Sequence, residues 1–210
     1  MGVATFRRYT NLAATIHLLQ TRSITLLNPA TWDDTNDAYY MVEYKRYTNA
    51  KSVLALCFTE CMETYHHWRV FSHGSDGVCI EFDKDRLMKI WADDPSVRTG
   101  YVAYREIKVQ RANGLLTVDE LPFLKRFPYQ DEQEFQAVYT GMDEPAEFKG
   151  FPISLSCIRR ITLSPWLSSA LVESVKTTLK RIPGCEFSKV YRSTLVDNEA
   201  WKKFTATVGQ

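Results

Sequence analysis

Two apolar runs of strand length, VLALCF at Val53–Phe58 and GVCIEF at Gly77–Phe82, constrain this chain more than anything else in it. A short apolar run bounded by polar residues suits a strand covered on both faces, and the first reads as a central strand. The second alternates enough to be half buried. More segments of this kind surround them: FRRYT near the start, SITLL at Ser23–Leu27, YVAYREIKV at Tyr101–Val109, FQAVY at Phe135–Tyr139, ISLSCIRRITL at Ile153–Leu163 as one strand or two, and EFSKVYRSTL. Helical spacing is rarer. Leu12, Ile16 and Leu19 behind an N-capping Asn11 predict a helix to Gln20, a second is expected from Pro165 to about Arg181, and DNEAWKKF closes as a short helix or tail. Many short strands without regular strand–helix alternation predict an α+β fold of mostly antiparallel strands with helices at one face. No repeat, low-complexity linker or composition shift divides the 210 residues, so a single domain over 1–210 is expected.

Charge and cysteine usage narrow the function classes. With 26 Lys+Arg against 25 Asp+Glu the formal charge is +1, which excludes the global electrostatic footprint of a non-specific nucleic-acid binder; a polyanion needs a local patch. The clustered Arg105, Lys108, Arg111, Lys125 and Arg126, and the pair Arg159-Arg160, are candidates for one. No apolar stretch approaches the ~18 residues of a membrane span, and MGVATFRRYT reaches charge before an apolar signal core, so no membrane association and a cytoplasmic site are expected. Five cysteines at irregular spacing, three of them inside apolar runs, read as buried free thiols; Cys57 and Cys61 with His66 and His67 come near a zinc spacing, but Cys57 is expected to point into a core and no metal is expected. Neither G-x-G-x-x-G nor G-x-x-x-x-G-K-[ST] occurs.

Three constellations carry possible chemistry. In FRRYT, strand alternation puts Arg7 and Tyr9 on one face and Arg8 on the other, where a guanidinium can grip a phosphate or carboxylate. In YHHWRVFSH, Tyr65, Trp68 and Phe71 fall on one helical face, and His66, His67 or His73 offers a general base. In EQEFQ, a strand beginning near Glu132 puts Glu132, Glu134 and Gln136 on one side, with neighbouring carboxylates about 7 Å apart and repulsion liable to raise one pKa. The run TWDDTND at Thr31–Asp37 reads as a loop anchored by Trp32.

The order of these signals, the opening strand with Tyr9, WDDTND, CFTE, HHWRVFSHGSDGVCIEF, EQEFQ and ISLSCIRRITLSPW, resembles the bacterial domain of unknown function 2971 family, over most of the chain. Members typically read Y-K-Y, F-N-D-P-x-E, C-F-S, M-W-x-x-Y, G-x-C-I-x-F and E-x-E-[FY]-R; here Trp32-Asp33-Asp34-Thr35 replaces F-N-D-P, Thr59 replaces Ser, His67 replaces Met, Phe71 replaces Tyr and Gln136 replaces Arg. The motif order is more distantly similar to ADP-ribosyltransferases of bacterial toxins and phage defence, in which NAD lies in a split cleft between two small sheets. That resemblance implies a split-sheet fold and NAD as co-substrate. It also implies transfer of ADP-ribose to a macromolecular acceptor, RNA, DNA or protein, with an antitoxin as a partner. It implies Glu134 as the carboxylate that stabilises an oxocarbenium-like state, Glu132 as the group that orients or deprotonates the acceptor, and Thr59 as the central-strand hydroxyl. Arg7 or Arg8 would hold the pyrophosphate, Tyr9 or Trp68 would stack on nicotinamide, and Asp33, Asp34 or Asn36 would shape the loop over the ribose. Two other readings stand beside it: a non-catalytic interaction module of a defence system, and a hydrolase or nuclease pairing His66, His67 or His73 with Glu132 or Glu134.

Overall fold

Asn11 ends the first strand, β1 (Thr5–Asn11), and starts the first helix, α1 (Leu12–Thr21): its backbone is extended and its side chain accepts from Ala14 N. The computed structural model describes residues 4–72, 74–186 and 188–207, so His73 and Phe187 lie outside the described residues. Arg22, left-handed at φ 49°, turns the chain from α1 into β2 (Ser23–Leu27). There follow α2 (Thr35–Tyr47), β3 (Ser52–Thr59), α3 (Tyr65–Phe71), β4 (Gly77–Asp83), α4 (Lys84–Met88), β5 (Val97–Tyr101), β6 (Ala103–Arg105) and α5 (Ile107–Asn113). The remaining elements are β7 (Leu124–Arg126), β8 (Glu134–Gly141), β9 (Phe148–Pro152), β10 (Ile158–Leu163), α6 (Ser169–Lys180), β11 (Val190–Arg192) and α7 (Glu199–Lys203).

The result is an α+β architecture around a mostly antiparallel sheet in the order β11-β10-β4-β1-β3-β2-β9, with β8 on β3 and β5 on β8. Only β11 joins β10 in parallel within that sheet; β6 and β7 form a separate parallel pair. One edge of β3 is paired along its whole length with β8. Its other edge is shared: β1 meets it at Arg7↔Thr59 and β2 at Leu27↔Ala55. The sheet is thus split between β1 and β2, which are connected by α1 and do not pair with each other.

Alternation divides the side chains into two layers. Phe6, Phe58, Phe82 and Phe135 belong to the main core, into which α1, α4 and α6 contribute Leu18, Leu87 and Leu179. Each such side chain stabilises the fold by roughly 1.5–3 kcal/mol through burial. On the opposite face Met41 and Tyr44 of α2 pack over Val53, Ala55 and Val138, while Trp68 of α3 packs over Tyr9 and Cys79. Helices therefore cover both faces, not one.

Several expected boundaries move. The expected loop at Thr31–Asp37 already contains the first turn of α2, because Asp34 caps it by accepting from Asn36 N and Asp37 N. The expected strand Tyr101–Val109 is cut into the end of β5, then β6 and the start of α5: the ladder to β8 ends as Val102 N reaches Glu134 O. Glu132 belongs to a 3-10 turn, Phe127–Glu132; Gln133, left-handed at φ 42°, reverses the chain so that β8 starts only at Glu134. Ile153–Leu163 contains one strand, entered through the short turn Leu155–Cys157, and α6 begins at Ser169 instead of Pro165. Of the expected strand EFSKVYRSTL only Val190–Arg192 is paired.

Candidate active site

Residues opposed in an antiparallel ladder share a face. Register alone therefore places Arg7, Thr59 and Glu134 side by side on three neighbouring strands, β1, β3 and β8, at the one point where the halves of the sheet touch through β1. The row continues outward through Glu81 of β4 and Arg160 of β10. Glu81 Oε1 accepts from Arg7 Nε at 3.2 Å and from Arg160 Nη2 at 2.6 Å. Arg7 Nη1 donates to Cys61 O at 2.7 Å, whereas its Nη2 meets, among the described residues, only Met62 Sδ at 3.9 Å. Thr59 Oγ1 donates to Gln133 O and accepts from Cys61 N, tying together the two segments that flank the row.

Glu134 does not stand alone. The ammonium of Lys125 lies 2.8 Å from Glu134 Oε2, 2.9 Å from Asp37 Oδ2 and 3.1 Å from Glu132 Oε2, so its three N–H donors match three carboxylates. All four side chains are at most 10% exposed. Burial pushes the Glu132 carboxyl up to about 7, with Lys125 opposing and Glu134 adding to the rise. Burial likewise raises Asp37. Burial by itself would lower Lys125, but Glu134 and the other acids outweigh it and hold the ammonium charged. Gln136 Nε2 donates to the same Glu134 oxygen at 3.1 Å.

Beside this cluster opens a cleft of about 460 Å³, lined by Glu134, Gln133, Gln130, Tyr104, Tyr101 and Glu60, among others. Tyr104 OH accepts from Glu134 N at 2.9 Å, which fixes the start of β8 against β6. At the rim Lys84 bridges Glu60 and Tyr101. Two buried polar atoms on the same sheet face, Tyr9 Oη and Gln136 Oε1, find no oxygen or nitrogen partner among the described residues.

No protein-family model matches the chain, and none of the curated proteins does. Among solved structures it is similar to Thermus sp. 2.9 DarT in complex with ADP-ribosylated ssDNA, with a TM-score of 0.47 and 15% identity over 91% of this chain and 94% of that one. The same protein in complex with NAD+ gives 0.47 and 14% over 92% and 96%, and in complex with carba-NAD+ 0.47 and 14% over 92% and 97%. The likeness to the domain of unknown function 2971 family therefore rests on the quoted motifs alone.

The structure brings together some of the expected residues and separates others. Arg7, Thr59, Glu134 and, through Lys125, Glu132 converge; Tyr9 shares their face. Glu132 is absent from the cleft lining and accepts from Lys125. Arg8 belongs to the opposite face. Trp68 is completely buried, its indole N–H donating to Glu63 at 2.6 Å, and offers no ring to a ligand. Asp33 is exposed, Asp34 is spent on capping α2, and Asn36 donates to Asp34 from the first turn of that helix. His67 is buried with both nitrogens engaged, Nε2 on Glu132 O at 3.1 Å and Nδ1 on Thr64 Oγ1 at 2.6 Å; burial lowers its pKa, so the neutral ring donates from Nε2. Lys125, expected on a basic surface, is the residue the sequence hid, and Arg105 is tied to Glu120 and Gln110. Cys57, expected in a core, is half-buried on the Glu134 face. Among the described residues no group of His, Cys, Asp and Glu is arranged to hold a metal.

Proposed function

We propose that this chain is an NAD-dependent ADP-ribosyltransferase acting on a macromolecule, as a bacterial toxin or phage-defence effector whose host carries a neutralising partner. One observation carries the reading: Arg7, Thr59 and Glu134 stand in one register row at the split of the sheet, the order that the motif resemblance implies. In the reaction the bond from nicotinamide nitrogen to the ribose anomeric carbon breaks, and nicotinamide leaves with the bonding pair. The acceptor nucleophile bonds to that carbon and gives up its proton. Glu134, fixed by Lys125 and Gln136, stabilises the positive charge that develops on the ribose and aligns its hydroxyls. Arg7 Nη2 has donors left for a phosphate, and the Tyr9 hydroxyl and Gln136 carbonyl, without an oxygen or nitrogen partner among the described residues, suit the carboxamide of nicotinamide. Glu132 positions Lys125.

The paired state of Glu134 favours a second reading, a non-catalytic interaction module, because Lys125 already neutralises the carboxylate that the chemistry needs. Of the three candidate bases of the hydrolase reading, His67 is buried with both nitrogens engaged, His66 is exposed, and His73 lies outside the described residues. Incubation with NAD labelled on the adenylate and a cell lysate, followed by separation of protein from nucleic acid, tests the proposal. Label in either fraction supports transfer and names the acceptor class. Label in neither, with the protein folded, supports the interaction module.

A further inference from the structure

Arg7, Lys84, Arg98, Arg105, Lys125 and Arg160 each have an acidic partner. Arg8 has no hydrogen bond or ion pair among the described residues, although its side chain lies at the half-buried middle of β1. It opens into a groove of about 400 Å³ between α1 and the strands β1 and β2, lined also by Thr10, His17, Ser23, Thr25 and Phe148. Among the described residues no acidic side chain lines this groove. The hydroxyls of Thr10, Ser23 and Thr25 have no hydrogen-bond partner among the described residues either. The rest of the lining is apolar: Ile80 and Leu18 are buried, while Leu27 and Phe148 are 49% and 65% exposed at the mouth. Ala13 and Ala14 keep the α1 wall low.

We infer that this groove binds a small amphiphilic anion, a phosphate or carboxylate carried on a short apolar body. A guanidinium withdrawn from water without a counter-charge is costly, and an anion seated on it removes that cost through charge-assisted hydrogen bonds. Burial already pushes the Arg8 guanidinium down to about 10, the mark of a cation short of partners. The apolar walls select a ligand with more than a bare head group, since concave sites of this size combine apolar lining with a few placed polar groups. On β1 Arg8 alternates away from Arg7, whereas Ser23, Thr25 and Leu27 share the Arg7 face through Leu27↔Ala55, so the groove lies in the split between β1 and β2, and competition by NAD is what tells it apart from the transfer site.

Calorimetric titration of the full chain with inorganic phosphate, hexyl phosphate and hexanoate tests this. One saturable site per chain is expected for hexyl phosphate or hexanoate, and the tighter of the two identifies the head group; inorganic phosphate should bind at least tenfold more weakly. Arg8→Met should weaken the tighter ligand at least tenfold, and Ala14→Trp, a substitution on the exposed side of α1 that fills the groove and keeps the charge, should do the same if Arg8→Met fails to fold. Arg7→Met, on the other face, should leave this binding within twofold. The inference is overturned if none of the three anions saturates, if Arg8→Met or a folded Ala14→Trp binds like wild type, if inorganic phosphate binds as tightly as hexyl phosphate, or if NAD competes with hexyl phosphate for the groove.

Discussion

At the residue scale the decisive group is Lys125, because one ammonium holds three buried carboxylates, Asp37 from one segment of chain and Glu132 and Glu134 from another. Removing it strands their charge. Lys125→Met should therefore cost about 3–5 kcal/mol in urea unfolding at pH 8, the usual penalty for breaking a buried ion pair from one side. The deficit should shrink toward pH 4.5 as the stranded acids take up protons. Glu132 supplies a second test. Its carboxyl is raised from an ordinary 4.5 to about 7, so the folded protein binds its proton more tightly than the unfolded chain does. The contribution of a raised acid is fully present below its unfolded pKa and is lost as pH rises through the folded one. The Glu132 contribution to wild-type stability should fall between about pH 4.5 and 7 by an amount on the order of 3 kcal/mol, and Glu132→Gln should remove that component of the profile. An unchanged slope in the variant would remove Glu132 as its source.

At the element scale the site depends on α2 and on the turn before β8, the two pieces that the sequence disguised. Helix α2 buries only Asp37, Met41 and Tyr44, too few apolar positions to print a helical stripe, and its start is marked by the side chain of Asp34 alone. Asp34→Ala should cost about 1 kcal/mol through the lost cap. Because α2 carries Asp37, the same variant should loosen Lys125, which amide hydrogen exchange across residues 35–47 would register as faster opening. Strand alternation, by contrast, was enough to place Arg7 with Tyr9 and Glu134 with Gln136, since a period of two leaves no choice of face once a strand is recognised. It failed for Glu132 because a left-handed Gln133 breaks the strand, and a glutamine at that φ is not announced by residue type.

On the scale of the whole molecule, the split between β1 and β2 lies beside two chemistries: a buried acidic cluster around Lys125, and a groove holding the Arg8 guanidinium, which has no acidic partner among the described residues. The α+β class and the strand-rich core were legible from apolar runs. The pairing of Lys125 with Asp37, across 88 residues, was not, because charge partners distant in sequence leave no periodic trace. The proposed transfer makes Glu134 the carboxylate that stabilises the ribose. It is tested most directly by the initial rate at which label passes from NAD to macromolecule in wild type and in Glu134→Gln, which keeps the shape and removes the charge. A fall of about 10²–10³-fold is expected, the scale on which single electrostatic stabilisers act, with the melting temperature held or raised. A rate within twofold of wild type would contradict it.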